Sequence, residues 1–183
     1  ATTTPDGSNQ ISSKYLINAA GLYSDEIDRQ LGVRDFKITP RRGELIVFDK
    51  LARKLINHVI LPVPSSMGKG VLVSPTVFGN IMLGPTAENL EDKTATGSTK
   101  SGLDTLKQKG KKIAPALLDE EITAIYAGLR AASEHSDYQI KLHQIDNQAN
   151  YLTVGGIRST GLTASMAIAI YVKQLLTNAG LTL

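Results

Sequence analysis

The 183-residue sequence contains no cysteine. That absence excludes disulfides, thiolate nucleophiles, cysteine zinc sites and iron–sulfur clusters together. The three histidines, at 58, 135 and 143, show no metal-ligand spacing. Long apolar runs are missing too. None approaches the ~20 residues needed to span a bilayer, and the first residues are polar, unlike a signal peptide or anchor. Charge of one sign is scarce: 20 basic against 17 acidic side chains leave +3, a scattered excess that does not argue for nucleic acid. What is present is ordinary. A composition of 42% hydrophobic and 20% charged residues excludes overall disorder, and the length suits one domain with a sizeable core. A cytoplasmic protein is expected, either free or peripheral at a membrane.

The pattern along the chain predicts α+β architecture. Pro5-Asp6-Gly7 is turn chemistry, so the chain is expected to open inside a hairpin whose first strand is largely absent. The run 14–21 reads as a short buried strand, followed by a tight turn and a helix over 23–31 that Gly32 stops. Short β-prone runs at 44–48, 58–63, 70–74 and 80–84 are spaced as antiparallel strands, with Phe78-Gly79-Asn80 as a hairpin turn. Leu103, Leu106 and Ile113 turn the pattern helical, and a second helical piece after Pro115 carries Leu117, Leu118, Ile122 and Ile125, giving a helical segment over about 102–123. The lysine-rich stretch 107–112 is read as its solvated face. Strands are expected at 126–130, 138–142 and 151–154, with turns at 146–150 and at Gly155-Gly156, and a long apolar helix over about 162–177.

The most informative stretch is Val154-Gly155-Gly156-Ile157-Arg158-Ser159-Thr160-Gly161-Leu162-Thr163. A strand runs through a glycine-rich turn into a helix, whose free N–H groups and positive dipole end suit an anionic or electron-rich group. A plain strand-to-helix connection fits the spacing equally, because GxxxxGK[ST] and GxGxxG patterns are absent. Gly128-Leu129-Arg130 places an arginine on an otherwise apolar strand, which is costly unless it is paired, kept for a ligand or solvated on an edge. Pro40-Arg41-Arg42-Gly43-Glu44 adds two arginines, one a candidate partner for Glu44, with a surface turn as the alternative. Asn18-Ala19-Ala20-Gly21 permits close backbone approach to a ligand, or simply tight packing. No nucleophile–base pair is visible.

In this order, the segments 17–25, 40–44, 84–89, 126–130 and 155–163 resemble flavin-dependent oxidoreductases of the D-amino-acid oxidase superfamily, particularly the glycerol-3-phosphate dehydrogenase-like branch. L-2-hydroxyglutarate oxidases are similar in several of them. The resemblance implies a mixed, largely antiparallel sheet with helices on one side as the substrate domain, plus remnants of a Rossmann-like FAD domain. It divides the chain into the end of the FAD domain (1–35), a substrate domain (36–146) and a return to the FAD domain (147–183). It implies that Ala20 and Gly21 lie beside the FAD phosphates. It also implies that Gly156, Ser159, Thr160, Gly161, Leu162 and Thr163 form the turn near the flavin ring and ribityl chain. Arg130 and Arg158 match cations for a substrate phosphate or carboxylate. The implied activity is oxidation of a small anionic hydroxy compound, glycerol 3-phosphate or a 2-hydroxy acid, by hydride transfer to FAD, with a quinone or oxygen as electron acceptor. No catalytic base is assigned; His58 is a weak candidate.

The family's opening G-x-G-x-x-G strand–turn–helix does not occur in this sequence. The chain is therefore expected to be the carboxy-terminal part of a larger flavoenzyme. By itself it is expected to hold FAD weakly or not at all, to lack dehydrogenase activity, and to self-associate through apolar surface on Ile17, Leu22 and the 162–176 helix. The alternative is a non-catalytic anion- or ligand-binding interaction domain.

Overall fold

A computed structural model describes residues 2–4, 7–9, 12–63, 70–146 and 148–182. In chain order the elements are β1 (Thr2–Thr4), β2 (Gly7–Asn9), β3 (Leu16–Asn18), α1 (Ser24–Gln30), β4 (Ile38–Phe48), β5 (Leu72–Pro75), β6 (Ile81–Gly84), β7 (Glu88–Asn89), α2 (Lys100–Ile113), β8 (Ile122–Ser133), β9 (Gln139–Ile145), β10 (Gln148–Gly155) and α3 (Gly161–Asn178). Single 3-10 turns occupy Gly21–Tyr23, Lys50–Leu55 and Pro115–Asp119. The architecture is α+β and its strands are largely antiparallel. Two compact units divide the chain: residues 1–38 with 131–183, and residues 39–130.

In the first unit, β1 and β2 pair antiparallel from Thr2↔Asn9 to Thr4↔Gly7. The turn expected at Pro5-Asp6 lies outside the described residues. A separate sheet has the order β3-β10-β9, with β10 parallel to β3 and antiparallel to β9. The expected buried strand at 14–21 is only three residues long, and its apolar Leu16 and Ile17 are about half exposed while Asn18 is buried. The reason is position: among the described residues β3 pairs in this sheet with β10 alone. β10 starts at Gln148, so the turn expected over 146–150 shortens, with Asp146 at φ 51° just before it. Gly155 belongs to β10 rather than to a turn. Its backbone lies so close to the Phe36 ring that a Cβ there would overlap it. Phe36, Ile38 and Ala131 form a small core that Leu22 flanks.

In the second unit the sheet order is β5-β6-β4-β7, and β8 also pairs with β4. Burial alternates along β4, the period of a strand with one covered face. Ile46, Phe48, Val73, Ile81 and Leu83 form that face, and Leu106 of α2 and Leu117 of the third 3-10 turn pack in the same core. The predicted hairpin turn at 78–80 is present, with the Thr76 N–H donating to Asn80 O and the Gly79 N–H to Thr76 O.

Two expectations are corrected here. Residues 58–63 do not form a strand; only Ile60 bridges to Val73. Pro62 lacks a ladder donor, and Val59, Leu61 and Val63 stay exposed. The helix expected over 102–123 ends at Ile113, because Pro115 holds Ala114 extended at φ −148° and starts a 3-10 turn. Ile122 and Ile125 therefore stand on β8, partly exposed, and not on a helix face. Within α2, the side chains at 107, 109, 111 and 112 are exposed, the solvated face expected of them.

Candidate functional site

Two groups of residues carry chemistry, one in each unit. In the first unit, β3 and β10 run parallel with Asn18 opposite Thr153. The turns that follow them, Ala20-Gly21 and Gly156 onward, therefore leave the same, carboxyl end of neighbouring strands, the end where α/β sheets bind ligands. Gly21 (φ 57°) and Gly156 (φ 62°) both hold left-handed conformations that a side chain would strain. Beyond Gly156 the chain enters α3 at Thr160, which caps the helix without a side-chain hydrogen bond. Ser159, Thr160, Leu162 and Thr163 are exposed around this helix start, and Gly161 is partly so. A helix start open in this way offers N–H donors and positive dipole to an anion or electron-rich ring.

A buried polar network fixes the first of these turns. The Asn18 side chain donates from Nδ2 to Ser24 O (2.8 Å), Asp28 Oδ1 (2.7 Å) and the Tyr151 hydroxyl (2.9 Å). Its Oδ1 accepts from the Ala20 N–H at 3.2 Å. Asp28 Oδ1 also accepts from the Tyr151 hydroxyl and, at 2.8 Å, from Thr153 Oγ1. Burial first, then the hydrogen bond to Asp28, push the Tyr151 phenol up to about 12. His143 stacks beside Tyr151 with centroids 5.6 Å apart, and burial pushes its imidazole below the usual range. Asp28 and Tyr151 carry no signal in the sequence, since 123 residues separate them.

Arg158 does not stand free. Its Nη2 donates to the backbone carbonyls of Ser136 (2.5 Å) and His135 (3.4 Å), which ties the 133–138 loop to the turn before α3. The Tyr138 hydroxyl shares a hydrogen bond with Thr160 Oγ1 from the same loop. Among the described residues, no partner stands against its other guanidinium nitrogens.

In the second unit, Arg130 lies near the end of β8, half-buried. Its Nη2 donates to Thr86 O at 2.8 Å, with longer contacts of 3.5 Å from Nε to Arg41 O and from Nη2 to Arg42 O. Among the described residues it has no carboxylate partner. Burial, and after it the like charge of Arg41, push its pKa below the ordinary value, yet a guanidinium stays charged. Arg41 uses Nε on Asn89 Oδ1 at 2.7 Å. Neither arginine of the 40–44 segment pairs with Glu44: Arg42 pairs with Glu88 at 2.6 Å, and Glu44 turns to Thr86 and Thr99. Gly43, Arg41 and Thr86, from two segments already singled out, are the neighbours of Arg130, a meeting that the sequence did not show. The repeated arginines and the glycine beside them were the only available signal. His58 is exposed on a bend after the second 3-10 turn.

Among the described residues no helix is long and apolar enough to cross a membrane. A unit of antiparallel strands, residues 39–130, thus interrupts in sequence a unit whose Ala20-Gly21 and Gly156 turns leave parallel strand ends. The chain matches the family model "FAD dependent oxidoreductase" over residues 1–175 and belongs to that family. It is 39% identical over 166 residues to a glycerol 3-phosphate dehydrogenase of Caloramator mitchellensis, covering 91% of this chain and 34% of that protein. It is 36% identical over 176 residues to a glycerol 3-phosphate oxidase of Mycoplasma genitalium, covering 95% and 44%. Among solved structures, dithionite-reduced L-alpha-glycerophosphate oxidase of Mycoplasma pneumoniae with FAD bound superposes at a TM-score of 0.78 with 35% identity, covering 90% of this chain and 43% of that one. Glycine oxidase of Bacillus cereus, 18% identical at a TM-score of 0.74 and with 92% of this chain covered and 44% of its own, shares the fold. The chain thus spans between a third and a half of the length of these relatives.

Proposed function

We propose that residues 1–183 are part of a longer flavoenzyme that oxidises glycerol 3-phosphate, or a closely similar small hydroxy anion. The observation that carries this reading is Arg130, a half-buried cation with no carboxylate partner among the described residues and with Arg41 as a like-charged neighbour. Such a pair is costly unless an anion joins it. A phosphate suits it, since guanidinium binds oxyanions through paired, charge-assisted hydrogen bonds. The relatives named for glycerol 3-phosphate support the choice of anion. Arg158, with Nη2 engaged by the 135–136 carbonyls, is the second proposed cation.

In this reading the turns of the first unit take the flavin, and Arg130 and Arg158 take the substrate anion. The turns of the first unit suit a flavin dinucleotide: two left-handed glycines permit close backbone approach, and the start of α3 carries no side-chain cap. Ala20 and Gly21 would lie by its phosphates, and Gly156, Ser159, Thr160, Gly161, Leu162 and Thr163 by the ring and ribityl chain. FAD, when bound, supplies the acceptor for the hydride of the carbinol carbon, and its electrons go on to a quinone or oxygen. The chain's own residues bind and orient the anion and set the turns.

The test is dye reduction by the full-length protein against glycerol 3-phosphate, 2-hydroxyglutarate and glycerol. Arg130→Gln and Arg158→Gln are expected to raise KM for glycerol 3-phosphate by about 10²-fold, the loss of a charge-assisted contact worth roughly 2–3 kcal/mol. Normal KM and kcat in both variants would sink the substrate assignment.

A further inference from the structure

Glu44 is fully buried, yet no arginine or lysine neutralises it among the described residues. Its Oε1 accepts from the Thr99 N–H and from Thr99 Oγ1 (3.0 Å) at the start of α2. Its Oε2 accepts from Thr86 Oγ1 at 3.2 Å. The two backbones are tied as well: the Glu44 N–H donates to Thr86 Oγ1 (2.9 Å), and the Thr86 N–H donates to Glu44 O (3.1 Å). Residue 86 is thus pinned to residue 44 by three hydrogen bonds. Thr86 O in turn takes the one short hydrogen bond that Arg130 makes, at 2.8 Å against 3.5 Å for the other two.

Capping accounts for only half of the carboxylate: Oε1 accepts the N–H of Thr99 at the start of α2, but Oε2 faces Thr86. Thr99 Oγ1 already accepts from the Gly102 N–H at 3.1 Å, as an ordinary N-cap does. Moreover, the first turn of α2 keeps Gly102 where any Cβ would overlap Glu44 Oε2. Helix interiors disfavour glycine, and burying a charge is unfavourable. The sequence thus accepts two local costs to keep a carboxylate against Thr86.

We propose that Glu44 is a positioning residue for Arg130, acting through Thr86. The carboxylate orients the Thr86 hydroxyl and backbone, and the Thr86 carbonyl then aims the guanidinium. The catalytic significance of this device rests on the reading of Arg130 given above, but the positioning itself does not.

The test uses the full-length protein and phenylglyoxal, which modifies guanidinium groups, with the labelling rate of Arg130 followed by peptide mass spectrometry. Thr86→Val removes the hydroxyl and keeps the carbonyl; Glu44→Gln keeps the shape and removes the charge. Each is expected to raise the Arg130 labelling rate at least fivefold, and Thr86→Ser, which keeps the hydroxyl, to restore it. Leu106→Ala, a core truncation on α2, should lower Tm without accelerating labelling. Wild-type labelling in Thr86→Val would overturn the proposal, as would equal acceleration by Leu106→Ala; either remains decisive if Glu44→Gln fails to fold. Glycerol 3-phosphate is added in a separate arm. If it gives no protection of Arg130, the substrate reading fails while the positioning result stands.

Discussion

Gly43 lies beneath the guanidinium of Arg130. A Cβ on Gly43 would stand 3.3 Å from Arg130 Nη2 and 3.3 Å from Pro85 Cβ, closer than side chains ordinarily pack. The arginine keeps its place because this strand position has no side chain, and the same Nη2 carries the short hydrogen bond to Thr86.

Gly43→Ala is therefore expected to displace Arg130 by a few tenths of an ångström and to weaken anion binding without unfolding the sheet. In the full-length protein KM for glycerol 3-phosphate should rise by about tenfold, roughly 1.4 kcal/mol, with kcat little changed. Steady-state kinetics check this; an unchanged KM would show that Arg130 tolerates the methyl group or does not meet substrate.

The Asn18–Asp28–Tyr151 network gives a pH prediction. The Tyr151 pKa is raised in the folded state from 10.0 to about 12. A raised pKa means that the stabilisation is fully present below the unfolded value, about 10, and is lost as pH rises through 12. Wild-type protein should thus lose stability between about pH 10 and 12 more steeply than Tyr151→Phe, in urea unfolding followed across that window. Parallel pH profiles would count against the network. At neutral pH, Tyr151→Phe should cost roughly 1–3 kcal/mol, because Asp28 loses a buried donor.

α3 presents Leu162, Met166 and Ile170, four residues apart, at 91%, 75% and 68% exposure. Such a stripe on one helix face is adhesive in water. The 183-residue chain is expected to self-associate with rising concentration in sedimentation velocity, and Met166→Glu with Ile170→Glu should shift it towards monomer. A chain that stays monomeric at high concentration contradicts this.

The isolated 183-residue chain is also expected to purify with little or no FAD, because its sequence holds no G-x-G-x-x-G turn for the pyrophosphate. An absorption spectrum decides the matter. Stoichiometric flavin bands near about 450 nm would overturn the expectation.

Much of the chain could be read locally. The strand at 44–48, leucine spacing on α2 and the strand–turn–helix at 154–163 each follow from periodicity and turn chemistry within a few residues, although β4 already begins at Ile38, so that 40–43 are strand and not a surface turn. Proline set limits that periodicity missed: Pro62 left 58–63 with a single bridge to the sheet, at Ile60, and Pro115 cut the second helix short. The resemblance that places the chain among flavin oxidoreductases likewise lies in linear motifs. Partner choice was different. Arg42 took Glu88 across the register of β4 and β7, while Glu44, two residues away, pointed to Thr86 and the start of α2. Both stand on the same face of β4, yet each meets a different element, so sequence proximity says little about who meets whom. Asp28 and Tyr151, 123 residues apart, meet only because β10 packs beside α1 and pairs with β3. Sequence by itself determined the family and most of the elements, because those are written in local spacing. The aim of Arg130 and the setting of the Ala20-Gly21 turn depend on contacts between distant segments, and only the tertiary structure decided them.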